Sequence, residues 1–290
     1  MNRFLVLLLL TPALCLANAA ADAREEFIQE PLELEDDDYL VEALKINYDY
    51  WGAFEEVSLY RLDNTIVGGR ELIDSYHGGA GEYEELYGED LELRDVTADG
   101  RPEIVIRHNT GGNDPLLCLG LFVLRPTPTG FVELYADAYM APVLEDLDGN
   151  GDEEIHTYSA YQSSFLWPRI FRAGFVDLVY EWNGAEYVIA DPAAYRDFFE
   201  GEVAWREELY REALAADEPH PAEVLRDGQA VLAQLAVAGL DDKYAAWWAA
   251  ERDTLRRAVD NLEEDLNGPA GDWDEVYADF HTPEAFRAGE

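Results

Sequence analysis

From residue 91 onward the chain alternates short apolar runs with polar turns, the pattern of antiparallel strands. Leu91 and Leu93 alternate with Glu92 and Arg94, and Ile104-Val105-Ile106 follows a polar loop. A longer apolar run, Leu116 to Leu124, ends at Arg125. It turns through Pro126-Thr127-Pro128-Thr129-Gly130 and returns as Phe131-Val132-Glu133-Leu134-Tyr135. The same order then recurs: Val143-Leu144, a polar loop, a strand opening at Ile155, a run from Phe175 to Tyr180, an Asn183-Gly184 turn, and Tyr187-Val188-Ile189. The stretch 91–190 therefore reads as two units of about four strands each.

After residue 190 the period changes from two to that of a helix. Asp191-Pro192 predicts a helix start, with Tyr195, Phe198, Phe199, Trp205 and Leu209 on one side. Pro221 opens a second helix with Val224, Gly228, Val231 and Leu235 on one face, ending at Gly239. A third starts at Asp241-Asp242, carries Tyr244, Trp248, Leu255, Val259, Leu262 and Leu266, and stops at Asn267-Gly268-Pro269. Before residue 91, Asp38 is placed to cap a helix through Tyr39, Leu40, Ala43, Leu44 and Asn47, and Gly68-Gly69 and Gly78-Gly79 break the rest into short pieces. The expected class is α+β. The expected division is a signal segment at 1–19, an acidic arm and mixed segment at 20–90, the β core at 91–190 and a helical region at 191–290.

The first residues carry a targeting pattern: Asn2-Arg3, the apolar run Phe4 to Leu10, and small residues at Ala17 and Ala19, with cleavage expected after Ala19 or Ala23. The run is too short for the roughly 20 residues that span a bilayer. Bulky Leu14 before Cys15 argues against a lipid anchor there. A periplasmic or secreted protein is expected, without stable membrane insertion after cleavage. Cleavage removes Cys15, leaving Cys118 as the sole cysteine, so no intrachain disulfide can form. Bound metal is one alternative source of rigidity.

Asp+Glu number 62 and Lys+Arg 20, a formal net charge of -42, and Lys45 and Lys243 are the only lysines. Such a surface excludes sequence-independent nucleic-acid binding, which needs basic groups for phosphate. The least acidic stretch is 100–191, which marks it as core.

The chemistry lies in the two polar loops. The second, Asp146-Leu147-Asp148-Gly149-Asn150-Gly151-Asp152-Glu153-Glu154, places oxygen side chains at positions 1, 3 and 5, glycine at 6 and a carboxylate at 9. Asp146, Asp148, Asn150 and Glu154 are candidate side-chain ligands, and Asp152 can add its carbonyl, a donor set suited to a hard cation such as Ca²⁺. An EF-hand would need Glu at position 12, where Thr157 stands, and flanking helices where strands are expected. The first loop repeats the frame as Asp95, Thr97, Asp99, Gly100 and Glu103, with Arg101 expected to oppose a cation and weaken the site. Plain polar turns are the competing reading, since Asp and Gly favour turns.

On these residues the chain resembles FG-GAP or VCBS-type repeats, the calcium-loop blades of integrin alpha-chain propellers and many exported bacterial proteins. The resemblance covers about 91–190. It implies calcium-stabilised β structure in propeller-blade-like units and binding or adhesion outside the cytoplasm. Two units do not close a ring, so a truncated propeller, a sandwich, or a sheet completed by residues before Leu91 are all compatible with the pattern. The expected function is an exported calcium-binding protein with a non-catalytic binding or structural role toward a protein or glycan partner. The alternative is a secreted polysaccharide hydrolase using Trp167, Trp182 or Tyr161 as sugar platforms. No His-Glu-x-x-His, Gly-x-Ser-x-Gly or phosphate-loop motif is present.

Overall fold

The computed structural model describes residues 24–34, 37–48, 51–63, 65–76, 88–109, 119–137, 140–161 and 174–265. The targeting segment, Cys118, Trp167 and the Asn267-Gly268-Pro269 stop lie outside them. The class is mixed α and β: the described residues form three four-stranded antiparallel sheets and three helices. The chain forms two compact units, 1–142 and 143–290. The expected β core at 91–190 supplies one sheet to each.

In the first unit, β1 (Arg24–Leu34), β2 (Asp37–Tyr48), β3 (Trp51–Leu62) and β4 (Arg70–Tyr76) pair in chain order. So do β5 (Gly88–Arg94), β6 (Glu103–Asn109), β7 (Leu119–Thr127) and β8 (Gly130–Asp137). The helix expected from Asp38 is instead strand β2. Its short run 39–44 satisfies both periods, and burial decides between them: Tyr39, Val41 and Ala43 are all at most 1% exposed and alternate along the strand. Pairing with β1 and β3 satisfies backbone groups that a helix would have satisfied internally. Pro31 lies in β1, the edge strand, where a missing N–H removes little from the ladder.

The two sheets of this unit share one core. Tyr39, Val41, Ala43, Val57 and Leu59 of the first meet Leu91, Ile104, Ile106, Phe122 and Leu124 of the second. Each fully buried Leu, Ile, Val or Phe contributes about 1.5–3 kcal/mol before conformational entropy is counted. Val105, Leu121 and Val123, on the opposite face of the second sheet, are fully buried as well.

The second unit opens with β9 (Val143–Glu145), β10 (Glu154–Tyr161), β11 (Gly174–Trp182) and β12 (Tyr187–Ile189), again an antiparallel meander. Helices α1 (Arg196–Ala215), α2 (Pro221–Val237) and α3 (Asp241–Asp265) follow. The first begins later than Asp191-Pro192 suggests: Asp191 accepts the Ala193 N–H at 3.0 Å and holds a turn, and the helix starts at Arg196. Helix α2 is buried almost all round from Val224 to Ala236, not on one face alone. It is the central helix, and a side chain at Gly228 would meet Leu255 of α3 at 2.6 Å and Tyr210 of α1 at 3.2 Å. Val176 and Val179 of β11 join the helices in one apolar cluster.

A polar knot ties β11 to the helices. Asp177, fully buried, accepts from His156 Nε2 at 2.7 Å and from Arg206 Nη2 at 2.5 Å. Its own backbone N–H donates to Gln234 Oε1 at 2.8 Å. Among the described residues no helix is long and apolar enough to cross a membrane.

Candidate metal centre

Both polar loops are hairpin connections of the same build. Arg94 pairs with Glu103 across the first, between β5 and β6, and Glu145 pairs with Glu154 across the second, between β9 and β10. Strands flank both loops, as the sequence predicts. In each, positions 4 and 6 take left-handed backbone: Ala98 at φ 53 and Gly100 at φ 86, Gly149 at φ 77 and Gly151 at φ 102. In each, the position-9 glutamate is buried, 0% exposed for Glu103 and 1% for Glu154. It accepts the position-2 N–H: Val96 to Glu103 Oε2 at 3.0 Å, Leu147 to Glu154 Oε2 at 2.7 Å. The left-handed residues curl the loop so that alternate side chains turn inward, and the buried glutamate floors it.

The second loop gathers oxygen side chains. Candidate ligand atoms of Asp146, Asp148 and Glu154 all lie within 4.8 Å of one another. Asp146 Oδ1 also accepts the Gly149 N–H at 2.7 Å, and Asp148 Oδ1 accepts that of Asn150 at 3.0 Å. Asn150 Oδ1 is occupied by the Asp152 N–H at 2.7 Å, and Asp152 Oδ1 is buried with no hydrogen-bond partner among the described residues. None of the three triad residues is ion-paired among the described residues. Burial pushes the Glu154 carboxyl above its usual range and Asp148 and Asp152 push the same way, against the Leu147 N–H and the Tyr195 hydroxyl.

Tyr195, from the turn before α1, closes the inner side. It is buried, and its hydroxyl interacts with Glu154 while donating to Glu181 Oε2 at 3.3 Å. Burial, then the charges of Glu154 and Glu181, raise that hydroxyl far above its ordinary value, so it stays a donor. Tyr187 donates to the Glu153 carbonyl at 3.0 Å, and the Leu147 side chain packs on the helical core. The loop is thus braced by its own unit.

The first loop converges on a different centre. The Arg125 guanidinium donates to Glu103 Oε1 through Nε at 2.9 Å and Nη2 at 2.6 Å, and Nη2 reaches Thr97 Oγ1 at 2.6 Å. It also pairs with Asp99 Oδ2 at 3.1 Å. Asp95 is turned to the loop backbone, accepting from Asp99 and Gly100 N–H. Arg101 is exposed, and its N–H donates to Asp99 Oδ1 at 3.0 Å. Arg125, not Arg101, brings positive charge to the loop residues. Burial raises the Glu103 carboxyl, and Arg125 opposes that rise.

Sequence reasoning missed Arg125, Glu181 and Tyr195. Strand register could have found the first two. Ile104 pairs with Leu124 and Ile155 with Tyr180, so the residue one step on, opposite the buried glutamate, is Arg125 in one sheet and Glu181 in the other. Of the aromatics considered as sugar platforms, Trp182 is half-buried against Tyr187 with ring centroids 5.5 Å apart. The side chain of Tyr161 lies outside the described residues. Comparison with models of known protein families and with curated proteins gives no match.

Proposed function

We propose that this is an exported calcium-binding protein, periplasmic or secreted, with a non-catalytic binding or structural role toward a protein or glycan partner. The observation that carries the reading is the convergence of Asp146, Asp148 and Glu154, none of them ion-paired among the described residues. Carboxylates this close repel one another, and a divalent cation relieves the repulsion while satisfying their lone pairs. The donors are all oxygen, which favours hard cations over zinc or copper. A loop that can offer side-chain and carbonyl oxygens together suits the six to eight ligands of calcium better than the strict octahedron of magnesium.

The matched hairpins support reading the two sheets β5–β8 and β9–β12 as FG-GAP or VCBS-type units. The pattern of residues 1–19 supports export.

Calorimetric titration of CaCl₂ into chelator-treated protein tests this. One calcium per chain is expected, and Asp146→Ala should weaken binding about tenfold or more by removing a charged ligand. Asp95→Ala should leave binding unchanged. Absence of binding at millimolar calcium would sink the reading.

A further inference from the structure

We infer that Arg125 is the built-in cation of the first loop, and that its exchange for Glu181 at the matching register position decides which of the two loops is left to take a metal ion. The inference rests on the calcium reading of the loop frame.

The two loops agree in length, in left-handed positions and in the buried glutamate that accepts the position-2 N–H. They differ in what stands opposite that glutamate. In the first sheet one guanidinium touches the side chains at positions 3, 5 and 9: Thr97, Asp99 and Glu103. These are positions whose oxygens a calcium loop would aim at its ion. A guanidinium is permanently charged and presents several donors in a fixed fork. It can therefore neutralise the buried Glu103 and hold the loop closed in the absence of any ion. Its side chain is only 17% exposed and Glu103 is fully buried, so the pair is an interior part of the fold. A divalent ion entering here would meet a positive charge already bonded to three of its ligands.

In the second sheet the matching residue is Glu181. It adds a further carboxylate beside Glu154, held off by the Tyr195 hydroxyl. Among the described residues, the same frame thus carries its own cation in one copy and a surplus of negative charge in the other. The pairing also explains how the first loop can keep its shape with Ala98 where the second has glycine: the guanidinium ties three sides of it together.

Three proteins test this by calcium stoichiometry, from calorimetry with CaCl₂ and elemental analysis after dialysis. These are the wild type, Arg125→Met, and a variant silenced in the second loop, Asp146→Asn with Asp148→Asn and Glu154→Gln. The expected numbers are one, two and none. A wild type that binds two, a silenced variant that still binds one, or a folded Arg125→Met that binds no more than the wild type overturns the inference. A wild type that binds none while Arg125→Met binds one would refute the calcium reading of the second loop and leave the role of Arg125 standing. Should Arg125→Met lose its near-ultraviolet circular dichroism in chelator, calcium is expected to restore it. Failure to recover at millimolar calcium counts against the inference.

Discussion

At the scale of single residues, the loops make a prediction that runs against ordinary helix and strand intuition. Ala98 and Gly149 occupy the same position of the shared frame, both with positive φ. A β-carbon in that region costs about 1–2 kcal/mol, which glycine escapes. Open space surrounds the point where a Gly149 side chain would lie, so only backbone conformation is at stake. Gly149→Ala should therefore destabilise by about 1 kcal/mol. Ala98→Gly, usually a destabilising change, should be neutral or stabilise by up to about 1 kcal/mol, with the larger unfolded-state entropy of glycine subtracting from the gain. Urea titrations of the two variants check this, and a clear loss of stability in Ala98→Gly would show that the loops do not share a frame. Much of this site was legible in advance: the spacing of Asp146, Asp148 and Glu154 alone places them together. Arg125 was not, because it is 30 residues beyond Asp95 (125 minus 95) and reaches the loop only through strand pairing. Local spacing carries no information about a cross-strand neighbour until the register is known.

At the scale of elements, the strands from β5 to β12 could be read because their turns are marked by residues with a mechanism, Thr129-Gly130 and Asn183-Gly184 among them. The sheet β1–β4 was not read. Its strands are rich in acids, and β2 carries apolar residues at both 39, 41, 43 and 40, 44, so neither period dominates. Partner strands settle such a case, and no local signal announces them. The helices were found, but the all-round burial of α2 was not, since an Ala-, Gly- and Gln-rich face does not look like core until helices pack on both sides of it. The knot between β11 and the helices carries the prediction at this scale. Burial would raise the Asp177 carboxyl, but the His156 hydrogen bond and the Arg206 guanidinium outweigh it and hold it below its usual range. A depressed carboxyl contributes stability that is full above its unfolded value of about 3.9 and is lost as pH falls through the lower folded value. Glu202 has the opposite sign. Burial, and then the Asp177 charge, raise it, so its contribution is present at low pH and is lost as pH rises through its folded value. Asp177→Asn should thus cost about 3 kcal/mol at neutral pH, because it removes the carboxylate bonded to the buried Arg206 and leaves it only the nearby charge of Glu202 among the described residues. Glu202→Gln should be neutral or mildly stabilising at the same pH. Denaturant midpoints of both variants, measured from acid to neutral pH, check the pair. A stable Asp177→Asn would contradict the network.

At the scale of the whole molecule, the formal charge of -42 means that any cation stabilises to some degree by screening. Specific binding must be separated from that background. A cation that binds only the folded form stabilises by mass action, about 2.7 kcal/mol when the free ion is 100 times Kd. Extracellular calcium modules bind at roughly 10⁻⁴ to 10⁻³ M, so millimolar calcium should give a smaller but measurable shift. The decisive measurement is a pair of melting curves, one in a few millimolar CaCl₂ and one in NaCl of equal ionic strength, repeated on Asp148→Ala combined with Glu154→Ala. The expected result is a higher unfolding temperature in calcium for the wild type and loss of most of that excess in the variant. Coincident curves in the two salts would contradict the claim that the second loop is a calcium site.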